Sequence, residues 1–142
     1  MLRSWRFWAL LSAAFAALTA ILAKVGVSGV PSDVATFVRT LVILGLTGAI
    51  LAASGQAADL TRIPGRSAAF LVLSGLATGA SWLCYFRALS LGDAARVAPI
   101  DKLSVVLVAI FGVVLLGETL SPSHWLGIAL IAAGAVLVAI GA

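Results

Sequence analysis

Apolar residues fill long stretches of this chain, and polar or charged residues cluster in the short intervals between them. Five stretches carry almost no charge: 7–23, 40–58, 67–86, 103–117 and 119–142. A helix needs roughly 17–25 residues to cross the hydrocarbon core of a bilayer, and long charged side chains at its ends can reach the headgroups. The pattern therefore predicts five transmembrane helices joined by four short connections.

The composition agrees with a membrane protein, because 63% of the residues are hydrophobic and only 10% are charged. Soluble domains carry about a quarter charged residues. We therefore predict an all-α membrane protein with a single five-helix domain over residues 1–142. Arg3 and Arg6 before the first apolar run also resemble a signal peptide, but that run is long and lacks a clear small-x-small cleavage site. We expect this first helix to be retained.

The chemistry-bearing residues are few. A single cysteine, Cys84, allows no intrachain disulfide, and a single histidine, His124, allows no ordinary multi-histidine metal site within one chain. No Ser/His/Asp set, metal-ligand spacing or phosphate loop is evident. We therefore expect no enzyme activity, cofactor or metal. The basic residues mostly flank apolar segments, where they orient helices and contact lipid headgroups, so nucleic acid is not an expected partner.

Positive charge is nearly balanced between the two faces of the membrane. Five crossings place the termini on opposite faces, and the face of the N-terminus collects four arginines: Arg3, Arg6, Arg62 and Arg66. The other face collects three or five basic residues: Lys24, Arg87 and Arg96, with Arg39 and Lys102 if they reach that way. The positive-inside rule needs an asymmetry. A single topology and insertion in both orientations therefore both remain open.

Polar residues recur on one face of four predicted helices. The spacing i, i+4, i+7, i+11 selects Ser74, Thr78, Ser81 and Tyr85, beside Gly75, Gly79, Trp82 and Phe86. Such hydroxyls bond to their own backbone, join helices, or face a wet cavity. Because four helices carry them, we favour one shared cavity. We predict that it binds substrate through eight residues: Trp8, Ser12, Arg39, Ser81, Trp82, Tyr85, Asp101 and Ser104.

Two opposite charges and a proline stand at the entrance of the fourth apolar stretch. Asp101 could form a structural ion pair with Arg39, Arg87 or Lys102. Alternatively, the surplus positive charge recognises a carboxylate or phosphate, or Asp101 exchanges a proton during transport. A helix that begins near Ala94 would bend at Pro99. We assign coupling or gating to Pro99, Asp101 and Lys102.

The fifth helix differs from the others, since no hydroxyl, amide or charge follows His124. Its glycines at 127, 134 and 141 repeat every seven residues and predict a packing surface for a neighbouring helix or a second subunit, as do Gly75 and Gly79 on the third helix. The helix ends also carry predicted caps: Ser32 or Asp33, Gly92, Asp93, and Ser121 with Pro122 at the first helical position.

Several local motifs resemble one known family. These are the aromatic-R-A-L-x-x-G element that ends at Gly92, the V-A-P element with Pro99, L-G-E at 116–118, and W-x-G-x-x-L-I-x-x-G from Trp125 to Gly134. They resemble the C-terminal part of the EamA-type repeat of the drug/metabolite transporter superfamily. The match is specific over 82–139, and the first two helices agree with it in length and position.

The resemblance implies a transporter built from repeats. Family members usually carry two five-helix repeats of opposite topology around a central cavity, whereas this chain has one and resembles a half-size member. Alternating access by rocking of two repeats would then need a second copy. The resemblance implies an antiparallel homodimer, as in the small multidrug resistance transporters of the same superfamily, or an oppositely oriented homologous subunit.

The same resemblance narrows the function. The small multidrug resistance transporters carry a buried glutamate on their first helix, but residues 7–23 contain no carboxylate, so lipophilic-cation antiport by that mechanism is not expected. Glu118 is expected to be structural. We expect a secondary transporter subunit in the cytoplasmic membrane that moves a small metabolite or amphipathic compound. The alternative is an accessory or lipid-linked-sugar-handling subunit that transports nothing alone and requires a different partner.

Overall fold

The chain forms a set of helices with short connections. The computed structural model describes residues 4–141, so Arg3 and Ala142 lie outside the described residues. Its elements are α1 (Trp5–Gly26), α2 (Ser32–Ala53), a 3₁₀ helix (Gln56–Arg62), α3 (Gly65–Leu91), α4 (Ala94–Asp101), α5 (Ser104–Leu116) and α6 (Pro122–Ile140). Residues 4–141 contain no strand. Five segments are long and apolar enough to cross a membrane, with α4 and α5 together forming the fourth. The predicted five-helix, all-α membrane fold is confirmed.

The second span covers Ser32–Ala53, so it begins at the residues that were predicted to cap it and ends before the charge-poor stretch 40–58 does. The residues after Gly55 form the 3₁₀ helix. Arg39 lies within this membrane-spanning helix, as expected from its place on the predicted polar face. The predicted cap by Ser32 or Asp33 is wrong, because Pro31 occupies the N-cap position and its carbonyl oxygen accepts from the N–H of Ala35 at 3.0 Å.

Two other helix starts follow the predicted capping pattern. Ser121 caps α6: its side chain accepts from the N–H of His124 at 3.4 Å, and the N–H of Ser121 donates to His124 Nδ1 at 3.3 Å. Pro122 occupies the first turn, as expected. Asp93 holds the N-cap position of α4, although its side chain makes no capping hydrogen bond. At the other end of this connection, α3 stops at Leu91, directly before Gly92.

The L-G-E element ends α5. Gly117 adopts a left-handed backbone conformation (φ +68°), and the N–H groups of Gly117 and Glu118 both donate to the carbonyl oxygen of Gly112. The Glu118 carboxylate lies over Gly112, where an added Cβ would come within 2.6 Å of its Oε2 atom. Glu118 thus folds back against the end of its own helix, which agrees with the structural role expected for it.

Replacing Gly117 by alanine is expected to destabilise the protein. A residue with a Cβ in the left-handed region costs about 1–2 kcal/mol, so the thermal unfolding midpoint in mild detergent should fall by a few degrees. The matched control is Gly45→Ala in α2, where an added Cβ meets no atom within 4 Å and alanine favours the helix. Equal midpoints for the two variants would contradict this role of Gly117.

The helices belong to two compact units. The first comprises Met1–Lys24 and Leu91–Ala142, and the second comprises Val25–Ser90. Within the first unit, α6 contacts both α4 and α5; within the second, the 3₁₀ helix contacts α2. Few apolar side chains among residues 4–141 are buried: Ala20, Ala23, Val27, Phe86, Leu89 and Ala135. Most apolar surface is therefore available to lipid or to other helices.

The predicted packing glycines are not filled by neighbouring side chains. An added Cβ at Gly75, Gly79, Gly127 or Gly134 would meet no atom within 4 Å. Gly141 lies just beyond α6, and a Cβ there would approach the carbonyl oxygen of Leu137 at 2.9 Å. Within residues 4–141, no neighbouring atom therefore occupies the space beside the first four glycines.

Candidate functional site

An arginine held against aromatic rings is the main polar feature of the second unit. Arg39 lies about 10 Å along α2 from Ser32, and Trp82 lies about 13 Å along α3 from Leu91, at about 1.5 Å per residue. The guanidinium carbon is 4.4 Å from the centroid of the Trp82 ring and 5.4 Å from that of Phe86. Both distances fall within the range of cation–π attraction. We call Arg39, Trp82, Tyr85 and Phe86 the arginine–aromatic cluster.

Helical spacing on α3 builds this cluster. Trp82, Tyr85 and Phe86 are three and four residues apart, so their side chains share one side of the helix. Phe86 is buried, whereas Trp82 and Tyr85 are half-buried, and the Tyr85 phenol lies within electrostatic reach of Arg39. The cluster therefore presents one cation, ring faces and a phenol on two helices that are long and apolar enough to cross a membrane.

The positive charge of Arg39 has no acidic partner in the part of the chain that the structure describes. The ion pairs within residues 4–141 are Asp59–Arg62 and Asp101–Lys102. Arg39 makes no hydrogen bond with these residues. An intramembrane charge is costly and is normally paired. The ring faces offset part of that cost, and the five N–H donors of the guanidinium suit a carboxylate or phosphate.

The hydroxyl groups on the predicted polar faces separate into two classes. Four threonines donate to the carbonyl oxygen four residues earlier at 2.8–2.9 Å, which is the ordinary local behaviour in helices: Thr36, Thr40, Thr47 and Thr78. The three serines predicted to bind substrate do not: Ser12, Ser81 and Ser104 are exposed and make no hydrogen bond with residues 4–141. These serines can therefore donate to a ligand.

The charged pair and the proline lie where the fourth span is interrupted. Pro99 lies inside α4, which ends at Asp101, and α5 begins at Ser104. Bonds of the i→i−3 type carry the chain between the two helices, including Lys102 N–H to Pro99 O at 3.1 Å and Leu103 N–H to Ile100 O at 2.9 Å. The regular α-helical hydrogen bonding of the span is thus interrupted at Lys102 and Leu103, just beyond the proline that lacks an N–H, and we call this interruption the bend.

Lys102 is the partner of Asp101. Its Nζ lies 3.2 Å from Asp101 Oδ2, and both side chains are partly exposed. Of the partners considered from the sequence, the neighbouring lysine thus takes the carboxylate. Because the pair sits on the bend, a change in the charge of Asp101 acts where the backbone is least regular.

The predicted substrate-binding residues on α1 are Trp8 and Ser12. They lie far in sequence from the arginine–aromatic cluster and from the Asp101–Lys102 pair. Trp8 is 57% exposed and packs edge-on against the ring of Phe7, with centroids 5.5 Å apart. Ser12 follows it one turn later. Trp8 and Ser12 share the first unit with Pro99, Asp101, Lys102 and Ser104, whereas Arg39, Ser81, Trp82 and Tyr85 belong to the second.

Comparison with known proteins decides the class of this molecule. The chain matches the EamA-like transporter family over residues 3–140. It belongs to that family. It is also 67% identical over 140 residues, 99% of both chains, to a Sinorhizobium sp. protein described as an uncharacterized transporter in cobO 3'region. No solved structure matches the chain.

Membership of the EamA-like family establishes a multi-pass membrane protein of a transporter class and points away from an enzyme. The match covers a chain of 142 residues, which is consistent with a half-size member. No group of three or more His, Cys, Asp or Glu residues within residues 4–141 could hold a metal ion.

Sequence reasoning missed three residues of this EamA-like protein that the structure makes prominent. Phe86 was predicted to share a helix face with Trp82 but was not included in the substrate site. Its position four residues after Trp82 was the signal that could have included it. Lys24 and Arg96 were counted only as surface charges. In the structure both donate to backbone carbonyl oxygens across long sequence separations, which no local pattern could indicate.

Proposed function

We propose that this EamA-like protein is a secondary transporter subunit for a small organic anion that also carries an apolar or aromatic part. The observation that carries the proposal is Arg39, a cation within a membrane-spanning helix that stacks on two rings and has no acidic partner among residues 4–141. A substrate carboxylate or phosphate would supply the missing charge.

The aromatic residues of the cluster, together with the neighbouring Ser81, suit the apolar part of such a substrate. The ring faces of Trp82 and Tyr85 offer apolar contact, and the indole N–H of Trp82 and the hydroxyl of Ser81 offer directional hydrogen bonds. Pockets of this kind combine apolar walls with a few polar groups that fix orientation. We expect Trp8, Ser12, Asp101 and Ser104 to contact the substrate as well.

The proposed working unit is an antiparallel homodimer in the cytoplasmic membrane of a prokaryote. Alternating access in repeat-built transporters is a rocking of one repeat against an oppositely oriented partner, and this chain supplies one repeat. Nearly equal positive charge on the two faces permits insertion both ways. The unfilled glycines on α3 and α6 offer surfaces on which helices of a second copy could approach closely.

In this proposal the bend between α4 and α5 couples transport to protons. Protonation of Asp101 would remove its attraction to Lys102, now at 3.2 Å, and would leave a lysine charge at the bend. Pro99 keeps the local hydrogen bonding incomplete, so the segment can change its angle at low cost.

The Tyr85→Phe and Asp101→Asn variants test the site. Cells that overproduce the wild-type protein should release one or more organic anions that control cells retain, as measured by mass spectrometry of the medium. Both variants should lose most of that release at equal membrane levels. Each has a matched control elsewhere on the chain: Ser90→Ala removes an exposed hydroxyl, and Asp59→Asn removes a carboxylate from the exposed pair with Arg62. Full activity of both test variants would refute the site assignment.

A further inference from the structure

A second feature lies at the end of the membrane spans in the first unit and takes no part in the proposed transport site. It is an open cavity of about 380 Å³. Two cations, Lys24 and Arg96, and one carboxylate, Asp93, line it together with the apolar side chains of Val97, Ile100 and Ala139. We call it the basic cavity.

Backbone carbonyl groups hold both cations in place. The Nζ atom of Lys24 donates to the carbonyl oxygen of Gly92 at 2.8 Å. Nη2 of Arg96 donates to the carbonyl oxygens of Ala139 and Gly141 at 3.3 and 3.2 Å, at the end of α6. Carbonyl groups at a helix end carry only partial negative charge, so those of Ala139 and Gly141 position Arg96 without neutralising it. Arg96 also uses one of its three nitrogen atoms in these bonds, which leaves Nε and Nη1 for another acceptor.

The residues at the mouth of the cavity belong to the ends of candidate membrane spans, where we expect lipid headgroups. Lys24 is in the last turn of α1, Asp93 precedes α4, and Ala139 is in the last turn of α6. Val97 and Ile100 continue the wall along α4, one and two turns further toward the interior of the span. A cationic mouth followed by an apolar wall is the arrangement that accommodates an acidic headgroup and the first carbons of its chains.

We propose that the basic cavity binds the headgroup of an anionic phospholipid, with the phosphate between Lys24 and Arg96 and an acyl chain along Val97 and Ile100. The net charge of the three ionised groups is positive, which favours phosphatidylglycerol over a zwitterionic lipid. Asp93 limits the affinity by repelling the phosphate. This inference does not depend on the transport proposal, because lipid binding is measured directly.

Native mass spectrometry of the purified protein in mild detergent tests the site. Phosphatidylglycerol and phosphatidylcholine with identical acyl chains are titrated separately, and bound lipids are counted. Phosphatidylglycerol should bind first and more tightly. Arg96→Gln should weaken its binding about fivefold, since one basic residue near a membrane surface contributes about 1 kcal/mol to the attraction of anionic lipid. Arg66→Gln, an exposed arginine at the start of α3, is the matched control and should leave the affinity unchanged.

Two further variants protect the test against a simple folding defect in Arg96→Gln. Ala139→Phe keeps both cations and fills the cavity, so it should also weaken binding; Asp93→Asn should strengthen it. The proposal is overturned if Arg96→Gln and Ala139→Phe bind phosphatidylglycerol like Arg66→Gln, or if phosphatidylcholine binds equally well. Full competition by free glycerol 3-phosphate would overturn the lipid assignment in favour of a soluble phosphate compound.

Discussion

Replacement of Arg39 by glutamine is expected to abolish release of the transported anion, whereas replacement of Arg87 leaves it nearly unchanged. Hydrogen bonds to a charged group contribute about 1.5–3 kcal/mol, which corresponds to a loss of roughly 10- to 100-fold in apparent affinity. Glutamine removes the cation and its paired donors but keeps a polar side chain at the same depth. The cation stacked on Trp82 and Phe86 is then lost.

Arg87→Gln is the appropriate control for this substitution. Arg87 is exposed near the end of α3 and, like Arg39, contributes a positive charge toward the face of the membrane opposite the N-terminus. Removing Arg87, which lies close to the end of its span, should alter the orientation bias at least as much as removing Arg39, so a loss seen only in Arg39→Gln reports the site and not the topology. Release is measured by mass spectrometry of the medium at matched membrane levels.

Arg39→Lys should give an intermediate result. Lysine keeps the positive charge but lacks the planar guanidinium that stacks on a ring and forms paired hydrogen bonds with a carboxylate. We therefore expect a raised KM with a smaller effect on maximal rate in vesicles loaded with the identified anion. If Arg39→Gln released the anion as efficiently as Arg87→Gln, the anion-binding role of Arg39 would be wrong.

Two variants forced into opposite orientations are each expected to be inactive alone and active together. Gln56→Arg with Ala57→Arg adds positive charge to the exposed 3₁₀ helix, on the face of the N-terminus. Ser28→Arg with Val30→Arg adds it to the connection between α1 and α2, on the other face. Because the native charges are nearly balanced, two added arginines should decide the orientation of most molecules.

Orientation and activity are measured in the same cells. A cysteine at Asp59 in a Cys84→Ser background, probed with a membrane-impermeant thiol reagent, should label from outside in about half of the otherwise unchanged molecules, the share that dual insertion predicts. Each biased variant should label almost completely or hardly at all. Co-production should restore anion release to a level comparable to that of the unbiased protein.

The opposite pattern has a clear meaning. A uniform orientation of the unbiased protein, with full activity of one biased variant alone, would exclude the antiparallel homodimer. The accessory-subunit alternative, or an oppositely oriented homologous partner, would then explain how a single repeat functions. This outcome differs from failure of the Arg39 test, since it leaves the arginine–aromatic cluster unaffected.

Much of the architecture followed from local pattern. Five charge-poor stretches predicted the five membrane spans, and the interruption of the fourth span after Asp101 lies close to Pro99, a residue that cannot donate an N–H. The start of α2 near Ser32 also followed from local pattern, although Pro31 and not Ser32 or Asp33 holds the N-cap position. A charge next to aromatic rings can lie within a span, and only the position of α3 reveals those rings.

The sequence by itself determined the all-α membrane class of the protein, its span number and the cap at Ser121. Each depends on composition or on residues within about two helical turns, where backbone geometry is known in advance. Tertiary structure decided which charges meet: Asp101 with Lys102, Arg39 with Trp82 and Phe86, and Lys24 and Arg96 with distant carbonyl oxygens. Contacts between side chains far apart in sequence depend on how helices pack, and an almost uniformly apolar chain contains little local information about that packing.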